Sequence, residues 1–156
     1  MMAVELWIDE VVKVAGNVAS HKSGRKVRAY RIASKPEVPE AVSEFPSALV
    51  YPTRLISAQY SMGGPCKEIW EVKGMFYLFP DNKKTNLPDA VRYFTRIRNA
   101  TLASLTLGGK VDHFVFAPEP MTLVEIEEVI DGPKRQAIEV TWEVKSDVTN
   151  EVTIGG

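Results

Sequence analysis

The sequence predicts an α+β fold: a mainly antiparallel sheet, two principal helices packed on one face of it, and an additional β-hairpin. Apolar residues recur with helical spacing in two segments, 3–20 and 86–107. Apolar and polar residues alternate along 66–79 and 135–148, as they do in strands with one buried face. The predicted order α-β-β-α-β-β-β is that of a single α+β domain over 156 residues, in which 149–156 form a flexible tail.

The first helix is predicted over residues 3 to about 20. Trp7 and Val11 belong to its i, i+3, i+4 apolar pattern, and acidic residues in its first turns suit the positive end of the helix dipole. Gly16 weakens the helical pattern, so an early end is expected. The basic segment 21–28 follows, and a solvated loop or ribbon is a better interpretation of it than a functional arm.

Prolines and short alternating runs dominate the next part of the chain. Four prolines between 36 and 52 forbid a helix there and favour extended, turn-rich chain. A short strand is predicted at 47–51 and a second strand at 54–62. The second strand is expected to form a hairpin with 66–79 through the Gly-Gly-Pro turn at 63–65.

The central helix has clear start and stop signals. Asn86 can cap its first turn, and Pro88 lies where a missing N–H costs nothing. The pair Gly108-Gly109 is expected to end the helical segment, because glycine reaches positive φ without a Cβ clash. The residues expected to pack on the sheet are Val91, Phe94 and Ile97.

The last third of the chain is predicted to be β-structure. A strand is expected over 111–117, and the Pro-Glu-Pro sequence at 118–120 is expected to break it. The segments 121–130 and 135–148 flank the Asp-Gly-Pro sequence at 131–133, which predicts a second β-hairpin.

Composition limits the kinds of site that the chain can carry. A single cysteine excludes an internal disulfide, and with only two histidines it cannot by itself make a structural zinc site. No apolar run approaches the ~20 residues that cross a bilayer. Acidic residues near the N-terminus stand where a signal peptide has lysines, so we expect neither a membrane segment nor a secretion signal.

No cluster of reactive groups predicts an enzyme. Cys66 has His21 and His113 as candidate bases, but no cysteine-hydrolase signature surrounds it and a structural role is favoured. Glu125 and Glu127 share a strand face, but no further ligand at metal spacing accompanies them. Neither glycine pair opens a helix followed by Lys-Ser/Thr, as a phosphate-binding loop does. We therefore expect no catalysis and no cofactor.

Charge is unevenly distributed along the chain. Seven basic residues and no acidic one lie between Glu10 and Glu37, whereas 119–151 holds nine acidic and three basic residues. Such asymmetry favours either a nucleic-acid patch or complementary faces for self-association. Arg92 and Arg96 share a helix face, but no exposed aromatic platform accompanies them and the net charge is −1, so the nucleic-acid interpretation is the weaker one.

The order of these signals resembles that of a known family. A helical N-terminus, a proline-rich segment ending at 45–52, a hairpin, a helix and the sequence Thr-Leu-Gly-Gly-Lys-Val at 106–111 look like the tail terminator (tail completion) proteins of long-tailed bacteriophages. Closely related neck and head–tail connector proteins look similar. The likeness covers nearly the whole chain, but the basic segment after the first helix is not part of it.

The resemblance implies a small α+β subunit that assembles into a ring, commonly a hexamer, on the last ring of the tail tube. There it stops growth of the tube and presents a surface to the head–tail connector or neck protein, while DNA passes through the central channel. It implies no cofactor and no membrane, and a place in the virion after assembly in the host cytoplasm. The alternatives are a neck or head-completion protein and, in another class, a nucleic-acid-binding α+β module.

A ring requires one patch of each copy to meet a different patch of the next copy. We hypothesise that a basic segment of one copy meets an acidic hairpin of its neighbour, with electrostatics guiding register and encounter. The residues of this predicted interface are Arg25, Lys26 and Arg28 on the basic side and Glu125, Glu127 and Glu128 on the acidic side. Alternatively, some of these acidic residues line the channel, where negative charge would keep DNA from sticking.

Overall fold

The computed structural model describes residues 3–18, 27–31, 47–62, 64, 66–77, 87–127 and 134–148. This part of the chain forms two helices and five strands. They are α1 (Ala3–Gly16), β1 (Arg28–Arg31), β2 (Ser47–Gln59), β3 (Lys67–Tyr77), α2 (Leu87–Leu102), β4 (His113–Glu127) and β5 (Lys134–Asp147). Asn86, the Asp-Gly-Pro turn and the predicted tail at 149–156 lie outside the described residues.

The five strands form one sheet in the order β1-β2-β3-β5-β4. Strands β2, β3, β5 and β4 pair antiparallel, and β1 lies parallel to β2. The predicted α+β fold with a mainly antiparallel sheet is therefore confirmed. The sequence does not predict β1, because its four residues are too few to show alternation and they follow a charged segment; Arg28, expected in a loop or ribbon, opens this strand.

Both helices pack on the same face of the sheet, as predicted. On β3 and β5 the apolar positions of the sequence pattern face the helices, and the charged positions face the other side. The shared core contains Trp7, Ile8, Val11, Val14, Ala15 and Val18 from α1, Tyr93 and Ile97 from α2, and Val50, Val72, Phe76, Phe114, Val140, Trp142 and Val144 from the sheet.

Trp142 lies at the centre of this core. Its ring meets Phe76 edge-on, with ring centroids 6.4 Å apart, and lies 5.4 Å from the ring of Phe114. The indole N–H donates a hydrogen bond of 3.1 Å to the hydroxyl of Thr101, which in turn donates to the carbonyl of Ile97 at 2.9 Å. The tryptophan thus ties β5 to the last turns of α2 and leaves its own buried N–H satisfied.

The glycine at position 74 is required by the tryptophan. A Cβ built on Gly74 would lie 2.8 Å from Cζ3 of Trp142, closer than real Cβ contacts occur. Gly74 is paired with Val50 on one side and Val140 on the other, so the backbone there cannot move away without disturbing both neighbouring strands. The indole therefore occupies space that every other side chain at this position would fill.

The face of α2 that packs on the sheet differs from the predicted one. Val91, expected to pack on the sheet, is 49% exposed, whereas Tyr93 is 1% exposed. Ile97 is buried as predicted, and Phe94 packs only at the margin of the core. The helix is rotated from the predicted orientation because Tyr93, Ile97 and Thr101, spaced four residues apart, form the inner stripe; Tyr93 and Thr101 look polar in sequence but bury most of their surface.

The helix also ends earlier than predicted, at Leu102, and turns occupy 103–110. Gly108 and Gly109 have positive φ, as expected of this pair, and so does Leu107 at 48°. A left-handed leucine costs about 1–2 kcal/mol. Leu107 is nearly completely buried, and burial of a leucine returns about 1.5–3 kcal/mol, so core packing can hold the backbone in this conformation.

Prolines lie within strands that the sequence divides in two. β2 continues through Pro52, where its register against β3 shifts, and β4 continues through Pro118 and Pro120, where its register against β5 shifts. The predicted breaks at these prolines are therefore wrong. β4 is an edge strand, and β2 beyond Val50 has β3 as its one strand partner among the described residues. Edges and bulges are the places where a missing N–H removes no ladder hydrogen bond.

We predict that Gly74→Ala lowers the free energy of unfolding by about 1–3 kcal/mol, because the new methyl group overpacks the core against Trp142. Thermal unfolding followed by circular dichroism measures this. Gly16→Ala is the matched control: a Cβ there meets Ala29 at an ordinary 3.8 Å, so stability should stay level or rise. Equal effects of the two substitutions would contradict the assigned role of Gly74.

Candidate subunit interface

The predicted basic and acidic interface residues lie on the two edge strands of the sheet. Arg28 is the first residue of β1 at one edge, and Glu125 and Glu127 are near the end of β4 at the other. Arg25, Lys26 and Glu128 lie outside the described residues. The structure thus places the described members of the two groups at opposite edges of the sheet.

Register also places the two groups at the same level along the strands. One row of register partners crosses the whole sheet, through Arg28, Ser47, Tyr77, Ala137 and Val124. Glu125 follows Val124 directly in β4. Strands lie about 4.8 Å apart, so four spacings separate the backbones of β1 and β4 by about 19 Å. A contact between these two edges at this level therefore requires a second copy of the chain.

Ion pairs with lysines offset part of the negative charge of the C-terminal acidic region. Within the C-terminal acidic region, Glu139 pairs with Lys73 at 3.2 Å and Asp147 pairs with Lys67 at 3.2 Å. Glu127 stands in register with Lys134, whereas Glu125 stands in register with the uncharged Gln136. Of these two glutamates, Glu127 therefore has a basic residue as its direct register partner and Glu125 does not.

A second row of register partners joins two exposed leucines. This row crosses the sheet through Leu55, Trp70, Val144 and Phe114. Beyond β4, the N–H of Phe114 donates a hydrogen bond of 2.7 Å to the carbonyl of Leu105. Leu55 and Leu105 are 40% and 45% exposed, so an exposed leucine stands at each end of the row. Sequence reasoning missed both residues, because exposure at an edge depends on strand order and not on local alternation.

Neither edge offers a regular ladder of free backbone groups at these positions. On β4, Pro118 and Pro120 have no N–H, and the N–H of Phe114 is already bonded to Leu105. On β2, the register shifts between Pro52 and Arg54, and again between Leu55 and Ser57. Prolines and bulges are the features by which proteins prevent sheets from joining edge to edge. A neighbour at these edges would therefore be held by side chains and not by continued sheet.

Polar side chains fix the corner of the sheet around the exposed part of β2. The hydroxyl of Thr53 donates to Glu71 at 2.7 Å, and Arg54 pairs with the same carboxylate at 3.2 Å; together these donors lower the pKa of Glu71. On the other face, Glu68 accepts hydrogen bonds from the hydroxyl of Tyr60 and, at 3.0 Å, from the indole N–H of Trp70. The bond to Glu68 raises the pKa of Tyr60 to about 12.

The groups considered for catalysis lie apart from these edges or outside the described chain. Cys66 is 1% exposed beside Val148, and its thiol donates to the carbonyl of Ser61 at 3.5 Å. His113 is an exposed residue that opens β4, and His21 lies outside the described residues. Within the described ranges, no group of three or more His, Cys, Asp or Glu side chains could hold a metal ion.

The arginines of α2 point in different directions. Arg92 and Arg98 are exposed, whereas Arg96 is partly buried and lines an open cleft of about 280 Å³ between the ends of the two helices. Asn17 and Asn99 also line this cleft. Because both helices end there, their carbonyl dipoles oppose an added anion. The predicted basic helix face is therefore only partly available to a phosphate backbone.

Comparison of the chain with protein-family models and with curated proteins finds no match. Among the described residues, neither helix is long and apolar enough to cross a membrane. The geometry of the two edges is the feature on which a functional proposal can rest.

We predict that Glu71 contributes to stability in a pH-dependent way. Its pKa in the folded chain lies below the ordinary 4.5, so its contribution is present above 4.5 and disappears as the pH falls through the lower folded value. Glu71→Gln should reduce the loss of melting temperature between about pH 6 and pH 3 by roughly 1–3 °C. Thr53→Val removes the strongest donor and should act in the same direction. An unchanged pH profile in both variants would contradict the assignment.

Proposed function

We propose that this chain is a structural protein of the virion of a long-tailed bacteriophage, which forms a ring at the head-proximal end of the tail. The ring terminates polymerisation of the tail tube and joins the tail to the head. The resemblance to tail terminators supplies the place in the virion, and one observation supports the ring: Arg28 and Val124, which directly precedes Glu125, end the same row of register partners on opposite edges of the sheet.

This arrangement supports a head-to-tail contact between copies. In such a contact each copy offers its β1 edge to one neighbour and its β4 edge to the other, so the two surfaces must differ and must face opposite ways. The two edges meet both requirements and have opposite charge in the sequence. Repetition of the contact gives a ring when the rotation between copies closes, and the resemblance to tail terminators favours six copies.

A neck or head-completion connector protein is the nearest alternative, because it would use the same kind of ring. The two are separated by the surface that the ring binds: a terminator caps purified tail tubes, and a neck protein binds the head connector. A nucleic-acid-binding module would instead bind DNA as a monomer, with an affinity that falls steeply as salt rises. The exposed Arg92 and Arg98 of α2 favour this nucleic-acid-binding alternative.

We predict that Arg28→Glu and Glu125→Lys each weaken assembly, and that an equimolar mixture of the two variants restores it. In each variant alone, every contact brings like charges together. In the mixture, alternating copies bring opposite charges together at every contact, so an even-numbered ring can close. Glu125 is chosen over Glu127 because reversal at Glu127 would oppose Lys134 within the chain.

Mass determined by light scattering over a range of protein concentrations, at about 0.15 M salt, measures the effect. The same experiment with purified tail tubes present covers a protein that assembles only on the tube. The control is the double variant Arg28→Glu with Glu125→Lys, which should assemble as the wild type does. Unchanged mass in both single variants would contradict the charged contact, and weakening without recovery in the mixture would show that the two positions do not meet.

A further inference from the structure

We infer that a second, apolar contact joins neighbouring copies, in which Leu55 and Ile56 of one copy pack against Leu102 and Leu105 of the next. The inference rests on the proposed ring and names one of its contact surfaces. It places this apolar contact at the opposite end of the strands from the charged contact, and it assigns as partner a second copy of this chain.

Exposed apolar side chains in the described part of the chain are concentrated at two places. The large apolar residues that remain exposed are Leu55, Ile56, Tyr60, Met62, Val91, Leu102, Leu105 and Val115. Four of these eight lie between 55 and 62, in the last part of β2 and just after it, and two lie at the end of α2 and in the turn after it. Clustering of this kind is typical of interaction surfaces, whereas single exposed apolar residues are ordinary.

The two places face opposite ways at one level of the sheet. Leu55 starts the row that ends at Phe114, and Phe114 is hydrogen-bonded to the backbone of Leu105. A neighbour displaced sideways along this row therefore brings its Leu105 towards Leu55 of the first copy. The same displacement brings Arg28 of one copy towards the Glu125 edge of another, so one movement satisfies both contacts.

The two contacts together would fix the orientation of the neighbour. On β3, the charged row passes through Tyr77 and the apolar row through Trp70, seven residues away. At about 3.3 Å per residue the contacts are separated by about 23 Å along the strands. Contacts at two such distant points prevent one copy from tilting against the next, which a closed ring requires.

Two charged residues beside the apolar patches, Arg54 and Lys110, already have ion-pair partners within the chain. Next to the β2 corner, Arg54 is paired with Glu71. Near the other patch, Lys110 is paired with Glu10 of α1 at 3.1 Å. Covering the patches therefore leaves neither Arg54 nor Lys110 buried without a partner, which would be costly. Arg98, one helical turn before Leu102, is exposed and lies at the solvated rim of the proposed contact.

Cysteine cross-linking tests this contact directly. The variant Leu55→Cys with Leu105→Cys should form disulfides between copies under mild oxidation, giving a ladder of sizes up to the closed ring on a non-reducing gel. Within one chain the two positions are at least three strand spacings apart, about 14 Å or more, beyond the reach of a disulfide. Each single variant should remain uncross-linked, because the contact pairs position 55 with position 105 and neither with itself.

The matched control pairs Leu55→Cys with Thr122→Cys. Thr122 is also exposed on β4, but its row crosses β3 at Met75, five residues or about 16 Å from the row of Leu55. Cys66 is buried and present in every variant, so wild-type protein reports its background. As a second measurement, Leu55→Ser and Leu105→Ser should each raise the dissociation constant of assembly about tenfold.

The outcomes separate this contact from the ring itself. A ladder from the variant with Leu55→Cys and Leu105→Cys (the on-row pair), and none from the control pair, supports the contact. Assembly of the wild type without a ladder from the on-row pair, or with equal ladders from both pairs, overturns the contact and leaves the ring standing. Absence of any assembly, with and without tail tubes, overturns the contact and the proposed function together.

Discussion

Trp142 packs against the bare backbone of Gly74 at the centre of the core, and this contact aligns β3, β5 and α2. It packs a side chain of β5 over the backbone of β3, and the hydrogen bond from the indole to Thr101 fixes the end of α2 above them. The turn after α2 starts from this fixed point and carries Leu105 to the outer side of β4. The central pair thus holds β5 beside β3 and sets the position from which the turn after α2 runs to the β4 edge.

The edges of the sheet have features that disfavour pairing with another strand and side chains to which we assign the contacts between copies. Register shifts and prolines interrupt the backbone ladder of β2 beyond Val50 and of β4 between Phe116 and Met121, which disfavours the addition of further sheet at those positions. In the proposed ring, neighbouring copies meet through side chains, with charged residues at one end of the strands and apolar residues at the other. Such edges suit a contact that must be specific in register and limited in number, because mismatched neighbours would lose one of the two contacts. This is the requirement of a ring that stops growing once it closes.

The sequence predicts the parts of this structure that follow local rules. Alternation on β3 and β5 identifies their buried faces, including Trp142, and the glycine pair at 108 and 109 adopts the expected positive φ. It does not predict that Pro52 lies within a strand, because tolerance of proline depends on whether the strand is at an edge. Nor does it predict the rotation of α2, since Tyr93 is apolar over most of its surface but is classed with polar residues. Similarly, the charges of the candidate interface are visible in the sequence, but their common level is not, because level depends on the register of four strand pairs.

Electron microscopy of the purified assembly, alone and bound to tail tubes, can show the proposed ring directly. We predict closed rings in which every copy contacts its two neighbours through two different surfaces, with the β1 edge of one sheet beside the β4 edge of the next. A dimer built on a two-fold axis from like surfaces would contradict it. So would particles the size of one chain at every concentration and in the presence of tail tubes.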